Sequence, residues 1–234
     1  GAIWAGNVST LTVSDMTMRN CYTGITGPSV RTDVYRAKFD TINKGVFVFG
    51  QLVEVDRCEF VGVGNSTKAV YHTPSCSYSR IRNCIIRGCG VYLEAVEDYY
   101  IGDCSFAGGK NAAALLDGSV GTVVRCTTRE VTNVSFSIAA SRCTMSAIEI
   151  IGGRSGFWLQ GGELVATGIS VRESTEQAFY IADPTILDVH GSNILPSTGF
   201  ALKFESSLSS PSLTYDFTGN YWGVTDSTAI AELI

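Results

Sequence analysis

The sequence predicts an all-β solenoid of about ten turns. The prediction rests on a short pattern that recurs at near-constant spacing and on a polar–apolar alternation within each copy. Arg82-Asn83-Cys84-Ile85-Ile86-Arg87-Gly88 is one such copy. When the copies are aligned on the position of Cys84, the aligned column contains Met16, Ala37, Cys58, Cys84, Cys104, Cys126, Ile148, Ile169, Gly191 and Thr218.

Neighbouring members of this column are 20 to 27 residues apart, which is typical of stacked repeats that bury their apolar faces against one another. Within a copy, as in Arg57-Cys58-Glu59-Phe60, apolar residues recur every second position, the period of a strand with one buried face. A second apolar strand follows about ten residues later, for example Gly90-Val91-Tyr92-Leu93. Each turn therefore contains at least two strands. The column two positions further on is mostly apolar and reads Met18, Phe39, Phe60, Ile86, Phe106, Thr128, Ile150, Val171, Asn193 and Asn220.

Two or three strands per turn of this length, with glycine between them, resemble the right-handed parallel β-helix of the pectin-lyase-like superfamily. The resemblance covers roughly residues 8 to 223 and implies a single-stranded right-handed parallel β-helix. The ending Asn220-Tyr221-Trp222-Gly223 is similar to that of phage tailspike-type and bacterial surface β-helix proteins. The catalytic motifs of pectate lyases and polygalacturonases are absent, so the resemblance supplies no catalytic residue.

A solenoid grows by adding turns, so we expect one domain over 1–234, with an N-terminal cap at 1–10 and a C-terminal cap at 224–234. Asp226 or Ser227 can cap a short amphipathic helix that closes the end of the solenoid, because Ile230, Leu233 and Ile234 fall at helical spacing. The pattern begins almost at the first residue, which suggests a fragment of a longer protein.

The composition excludes several classes of protein. Hydrophobic residues make up 45% of the chain and charged residues 17%, and the net charge is −5. This balance disfavours nucleic acid and anionic membranes as partners, and no apolar run is long enough to span a bilayer. We expect no cofactor or metal.

Four of the eight cysteines, Cys58, Cys84, Cys104 and Cys126, share the inward column. Free cysteine is a small and readily buried side chain, so we predict a stack of reduced thiols. Oxidation of neighbouring pairs remains compatible with the spacing.

The second strand of each turn has aromatic residues at its outward positions. Aromatic rings on a long exposed face can stack on sugars, so Tyr71, Tyr92, Trp158 and Tyr180 are candidate substrate-binding residues. Alternatively, the rings pack on one another or on a neighbouring chain. The predicted outward column is Phe47, Tyr71, Tyr92, Leu115, Ser137, Trp158, Tyr180 and Ala201.

Glu94 and Asp117 are the candidate catalytic pair. They align if Val91 matches Ala114, which places their backbones about 5 Å apart on neighbouring turns, near the carboxylate separation of retaining glycosidases. The alternative is two exposed surface carboxylates. His72, one turn earlier, is a candidate assisting residue in substrate binding or, alternatively, a polar surface residue.

The outward positions of the first strand carry mixed charge. Opposite charges on neighbouring turns, such as Arg19 and Asp40, predict ladder salt bridges. Arg125, Arg129 and Arg172 form a candidate groove for an acidic polysaccharide.

The aromatic column predicts a polysaccharide-binding protein, and the resemblance to tailspike-type and bacterial surface proteins implies an extracellular or virion-surface location. One version is a tailspike-like depolymerase, either a glycoside hydrolase or a polysaccharide lyase. The alternative is a non-catalytic shaft or adhesin module that oligomerises through its aromatic face, for example as a homotrimer.

Overall fold

The computed structural model describes residues 3–4, 6–62, 67–74, 76–195, 199–205, 215–223 and 228. They form an all-β parallel solenoid of about nine turns, which confirms the predicted fold class. The strands, in chain order, are β1 (Ile3–Trp4), β2 (Val8–Ser14), β3 (Thr17–Arg19), β4 (Thr23–Gly27), β5 (Ser29–Tyr35), β6 (Lys38–Ile42), β7 (Lys44–Val48), β8 (Leu52–Asp56), β9 (Glu59–Gly62), β10 (Lys68–His72), β11 (Tyr78–Arg82), β12 (Ile85–Arg87), β13 (Gly90–Glu94), β14 (Asp98–Gly102), β15 (Ser105–Ala107), β16 (Asn111–Leu116), β17 (Val120–Val124), β18 (Thr127–Arg129), β19 (Val134–Ser146), β20 (Glu149–Ile151), β21 (Ser155–Thr167), β22 (Ser170–Arg172), β23 (Gln177–His190), β24 (Asn193–Leu195), β25 (Phe200–Phe204) and β26 (Tyr215–Asp216).

Each full turn has three strands, one on each side of the solenoid. Side one comprises β2, β5, β8, β11, β14, β17, the second halves of β19, β21 and β23, and β26. Side two is the nine-stranded sheet from β3 to β24. Side three comprises β1, β4, β7, β10, β13, β16, the first halves of β19, β21 and β23, and β25. The pairing is parallel throughout, so equivalent side chains of successive turns lie one above another. Ile86, for example, lies between Phe60 and Phe106.

The corner from side one to side two is made by a single residue in the left-handed region. Asn83 has φ 55°, and Asp103 has φ 55°. This conformation costs an L-residue roughly 1–2 kcal/mol. Stacking of the turns offsets that cost, because the backbone amide of each corner residue donates a hydrogen bond to a carbonyl oxygen of the next turn. Asn83 N, for example, donates to Gly102 O at 3.1 Å.

The core is a set of side-chain stacks that run along the solenoid. Phe39 and Phe60 stack with ring centroids 4.7 Å apart, and Phe157 and Phe179 at 4.6 Å. Gly45 makes room for one of these rings, since a Cβ there would lie 2.6 Å from Phe60 and would clash with the carbonyl oxygen of Ala69. Both the ring stack and the close approach of the neighbouring backbone therefore require a glycine at this position.

The cysteine column is inward, as predicted. Cys58, Cys84, Cys104 and Cys126 are buried, and all eight cysteines are free thiols. Each column thiol donates to the carbonyl two residues earlier, as Cys84 Sγ does to Arg82 O at 3.1 Å. Among the described residues, no group of three or more His, Cys, Asp and Glu side chains is placed to hold a metal ion.

The last two copies of the pattern are shifted relative to the predicted column. Tyr221 N donates to Ser192 O, so the residues equivalent to Ile169 are Ser192 and Asn220, not Gly191 and Thr218. The shift begins where β23 pairs with β21. Leu159 pairs with Ile181 but Gln160 pairs with Asp183, so β23 has one extra residue at Ala182. The corrected companion positions, Ile194 and Trp222, are both buried, so the apolar column continues to the end.

Strand β1 lies at the N-terminal end of the solenoid. At the N-terminal end, β1 pairs with β4, and Ile3 contacts the core while Trp4 is 71% exposed. Residues 224–227 and 229–234 of the expected C-terminal cap lie outside the described residues. In the described part of the chain, no helix is long and apolar enough to cross a membrane.

Candidate functional site

Side three presents the predicted outward column, with two corrections. Leu115 is inward because it pairs with Leu93 and Ile138 of the core, and Ala201 does not pair with Tyr180, whose partner is Lys203. Their places are taken by Ala114 and Lys203. The column reads Thr26, Phe47, Tyr71, Tyr92, Ala114, Ser137, Trp158, Tyr180 and Lys203.

The first aromatic group is Phe47, Tyr71 and Tyr92, and its ring faces are largely covered. Phe47 and Tyr71 stack on each other with centroids 5.1 Å apart and an interplanar angle of 6°. The ammonium of Lys68 lies 3.6 Å from the centroid of Tyr71 and 4.7 Å from that of Tyr92, and Lys44 lies 4.3 Å from that of Phe47. Tyr71 therefore has no open face for a sugar ring.

Glu94 and Asp117 are not aligned as expected. Val91 pairs with Ala113, one residue before the assumed partner, so Glu94 lies opposite Leu116. Asp117 is one position further on, in a left-handed turn with φ 53°. The Glu94 carboxylate accepts a hydrogen bond from the Tyr71 hydroxyl at 3.2 Å. A catalytic role for this pair stays a prediction.

His72 is not a surface residue, so its expected contact with substrate is wrong. It is fully buried, and its ladder partners Val48 and Leu93 belong to the core. Neither ring nitrogen has a hydrogen-bond partner among the described residues. Burial lowers the pKa of His72 to about 3, so the ring is neutral.

Trp158 and Tyr180 form the second aromatic group, and they line a cavity of about 250 Å³. The two rings meet edge to face, with centroids 6.0 Å apart and an interplanar angle of 77°. Trp158 is 38% exposed. The remaining walls are mostly polar and consist of Asn133, Val134, Arg154, Ser155, Glu176, Gln177 and Lys203.

The polar wall of this cavity is held in place by contacts between neighbouring turns. Arg154 forms an ion pair with Glu176, with Nε 2.6 Å from Oε1. Gln177 Nε2 donates to Ser155 Oγ at 2.7 Å. These residues were not among the predicted site residues, although the 22-residue interval from Arg154 to Glu176 matches the repeat and could have indicated their contact.

The outward faces of sides one and two carry ladder ion pairs. The predicted pair of Arg19 and Asp40 is present, with Nε 3.6 Å from Oδ2. Arg125 pairs with Asp103 at 2.6 Å, and its hydrogen bond lowers the pKa of that carboxyl. Arg172 pairs with Glu149 at 3.0 Å. Two of the three arginines of that candidate groove are therefore already paired with a carboxylate.

A further titratable cluster, whose residues were not among the predicted site residues, lies at the C-terminal end of side one. Asp188 and Asp216 are ladder partners, and both carboxylates contact His190 Nε2, the Asp216 oxygen at 3.6 Å. His190 Nδ1 lies 2.8 Å from Thr218 O. That hydrogen bond, and then the two carboxylates, raise the pKa of His190.

No protein-family model, curated protein or solved structure matches the chain. Fold and site define a parallel β-solenoid with one aromatic side that carries lysines. The resemblance to pectin-lyase-like and tailspike-type proteins extends to this architecture alone.

Proposed function

We propose that the chain is a polysaccharide-binding β-solenoid that binds glycan along side three, with its main sugar subsite in the Trp158–Tyr180 cavity. The observation that carries the proposal is the composition of that cavity. A sugar ring has apolar C–H faces and a rim of hydroxyl groups, so it needs an aromatic surface beside hydrogen-bonding side chains. The cavity offers both, because Trp158 and Tyr180 lie beside Arg154, Glu176 and Gln177.

The polar groups of the cavity are suited to orient a sugar. The Arg154–Glu176 ion pair and the Gln177–Ser155 hydrogen bond hold donors and acceptors in fixed positions. Preorganised groups lose little conformational entropy when a ligand binds. Each hydrogen bond to a charged group contributes roughly 1.5–3 kcal/mol. The proposal includes an extracellular or virion-surface location, where such polymers occur.

Hydrolysis of the bound glycan is the catalytic version of this proposal. Glu94 lies two positions after Tyr92 on the same strand and retains a hydrogen bond from Tyr71. In this version Glu94 and Asp117 act as the acid and base of a glycoside hydrolase.

A shaft or adhesin module is the second candidate, and the exposed apolar side chains on and beside side three favour it. Phe49 is 42% exposed and Phe200 50% exposed, one near each end of the aromatic column. Such residues suit an interface between copies, for example in a homotrimer. Analytical ultracentrifugation combined with surface labelling distinguishes the two candidates. A stable trimer in which side three is protected from labelling supports the shaft.

The test of the main proposal is a screen of the purified chain against a panel of bacterial and algal polysaccharides. Binding and release of reducing ends are read from the same wells. We expect binding to at least one polymer. Release of oligosaccharides adds the catalytic version, and absence of binding to every polymer contradicts the proposal.

A further inference from the structure

The lysines of side three lack the ion pairs that most arginines of sides one and two form. Among the described residues, Lys44, Lys68 and Lys203 have no carboxylate oxygen within 4 Å, whereas Lys38 on side two pairs with Glu59 at 3.1 Å. The arginines of sides one and two are mostly paired in the same way, as Arg36 is with Asp15. Side three is therefore locally cationic although the net charge is −5.

Two of these lysines are held next to each other. Lys44 and Lys68 are ladder partners on neighbouring strands β7 and β10. Like charges directly opposite each other in a sheet are destabilising. Their ammonium groups lie over the rings of Phe47 and Tyr71, and these cation–π contacts partly compensate for the loss of hydration.

The environment of Lys68 shows the cost of this arrangement. Burial lowers its pKa first and the charge of Lys44 lowers it further, while Glu94 raises it. Glu94 accepts a hydrogen bond from the Tyr71 hydroxyl, and neither ammonium group has a carboxylate oxygen within 4 Å in the described part of the chain. An anion placed between them relieves both the repulsion and the lost solvation.

We infer that the glycan bound on side three is acidic and that Lys44 and Lys68, held over the Phe47–Tyr71 ladder, bind a carboxylate or sulfate substituent of its sugars. This inference rests on the proposed function and specifies the class of polymer. The shared chemistry is a sugar that carries an oxyanion, which a uronic acid or a sulfate ester supplies.

The same polymer chain can reach the cavity on side three. Four ladder steps separate Tyr71 from Trp158, which is about 19 Å at the strand spacing of a sheet. Lys203 lies at the cavity, 5.8 Å from the Tyr180 ring centroid. Cations thus accompany both aromatic groups, as expected for a polymer with regularly repeated acidic groups.

The experiment compares Lys44→Gln and Lys68→Gln with the matched control Lys38→Gln. All three remove one positive charge from an outward position, and Glu59 keeps its contact with Arg87 in the control. The probes are a polyuronate, a sulfated galactan, an uncharged galactan and a single-stranded oligonucleotide, measured by titration calorimetry at low and high salt. Melting temperatures verify that each variant is folded.

We expect at least one acidic glycan to bind. Lys44→Gln and Lys68→Gln should each weaken it about ten-fold, the magnitude of one lost charge-assisted hydrogen bond, while Lys38→Gln stays near wild type. The preferred polymer tells whether the subsite takes carboxylate or sulfate. Equal weakening by Lys38→Gln, or oligonucleotide binding as tight as glycan binding, overturns the inference.

Binding of the uncharged galactan alone, unaffected by either side-three variant, also overturns the inference and leaves the proposed function intact. Binding of neither acidic nor uncharged glycan contradicts both.

Discussion

Replacement of His72 by leucine should stabilise the protein, and the gain should grow as the pH falls. His72 is fully buried between Val48 and Leu93, and its ring nitrogens have no partner among the described residues. A buried polar group without a hydrogen bond costs roughly 1–3 kcal/mol. Leucine resembles its neighbours in the column, so His72→Leu should raise the free energy of unfolding by about 1–3 kcal/mol at pH 7.

The pH dependence follows from the pKa of His72. It is about 3 in the folded chain and about 6.5 in an unfolded chain. Between these values the unfolded state binds the proton, so stability is complete above pH 6.5 and falls as the pH drops towards 3. One pKa unit is 1.36 kcal/mol, so the loss at pH 5 is about 2 kcal/mol. His72→Leu removes that loss.

Thermal unfolding of wild type and His72→Leu at pH 7 and pH 5 tests this reasoning. For a chain of this size, about 2 kcal/mol corresponds to roughly 4–8 °C, by which the difference in melting temperature should widen at pH 5. His190→Gln is the control, because the raised pKa of His190 has the opposite sign. It should destabilise at pH 5 and have little effect well above the pKa of His190. A difference for His72→Leu that does not widen on acidification would refute the buried neutral histidine.

Three further changes test other parts of the structure. Gly45→Ala should lower the free energy of unfolding by about 1–3 kcal/mol through overpacking, because the new Cβ would clash with Phe60 and a carbonyl oxygen. Gly6→Ala is the control and should be neutral, because a Cβ there has open space. Equal melting temperatures of the two variants would contradict this packing. Cys84→Ser should lower the free energy of unfolding by about 1 kcal/mol, because the serine hydroxyl is buried although it can keep the hydrogen bond to Arg82 O. Chemical denaturation measures this change, and an unchanged midpoint would argue against the inward column. If the screen detects glycan cleavage, Glu94→Gln or Asp117→Asn should reduce its rate by orders of magnitude, and an unchanged rate would remove the pair from catalysis.

The fold was predictable because each turn repeats two simple signals. The period of about 22 residues and the alternation in copies such as Arg57-Cys58-Glu59-Phe60 determine which side chains face inward. What the sequence does not show is a change of register by one residue. The extra residue in β23 moves one copy from Gly191 to Ser192, and one further residue before the last copy moves that copy from Thr218 to Asn220.

The same ambiguity affected the candidate site. The run Ala112-Ala113-Ala114-Leu115-Leu116 is apolar at every position, so alternation cannot fix its phase, and Leu115 and Asp117 were both misplaced. His72 was predictable in principle, because it follows the outward Tyr71 and must therefore face inward. The cavity wall was less accessible to prediction, since Arg154 and Glu176 lie in corners between strands.

The central claim is that glycan binds on side three at Trp158, and titration calorimetry of Trp158→Ala tests it most directly. The ligand is the tightest-binding polymer of the screen, and Tyr78→Ala on side one is the control, an outward aromatic residue that contacts Arg80. We predict that Trp158→Ala weakens binding about 10- to 100-fold, as expected for a central aromatic contact, and that Tyr78→Ala does not. Equal affinity of wild type and Trp158→Ala would contradict the account.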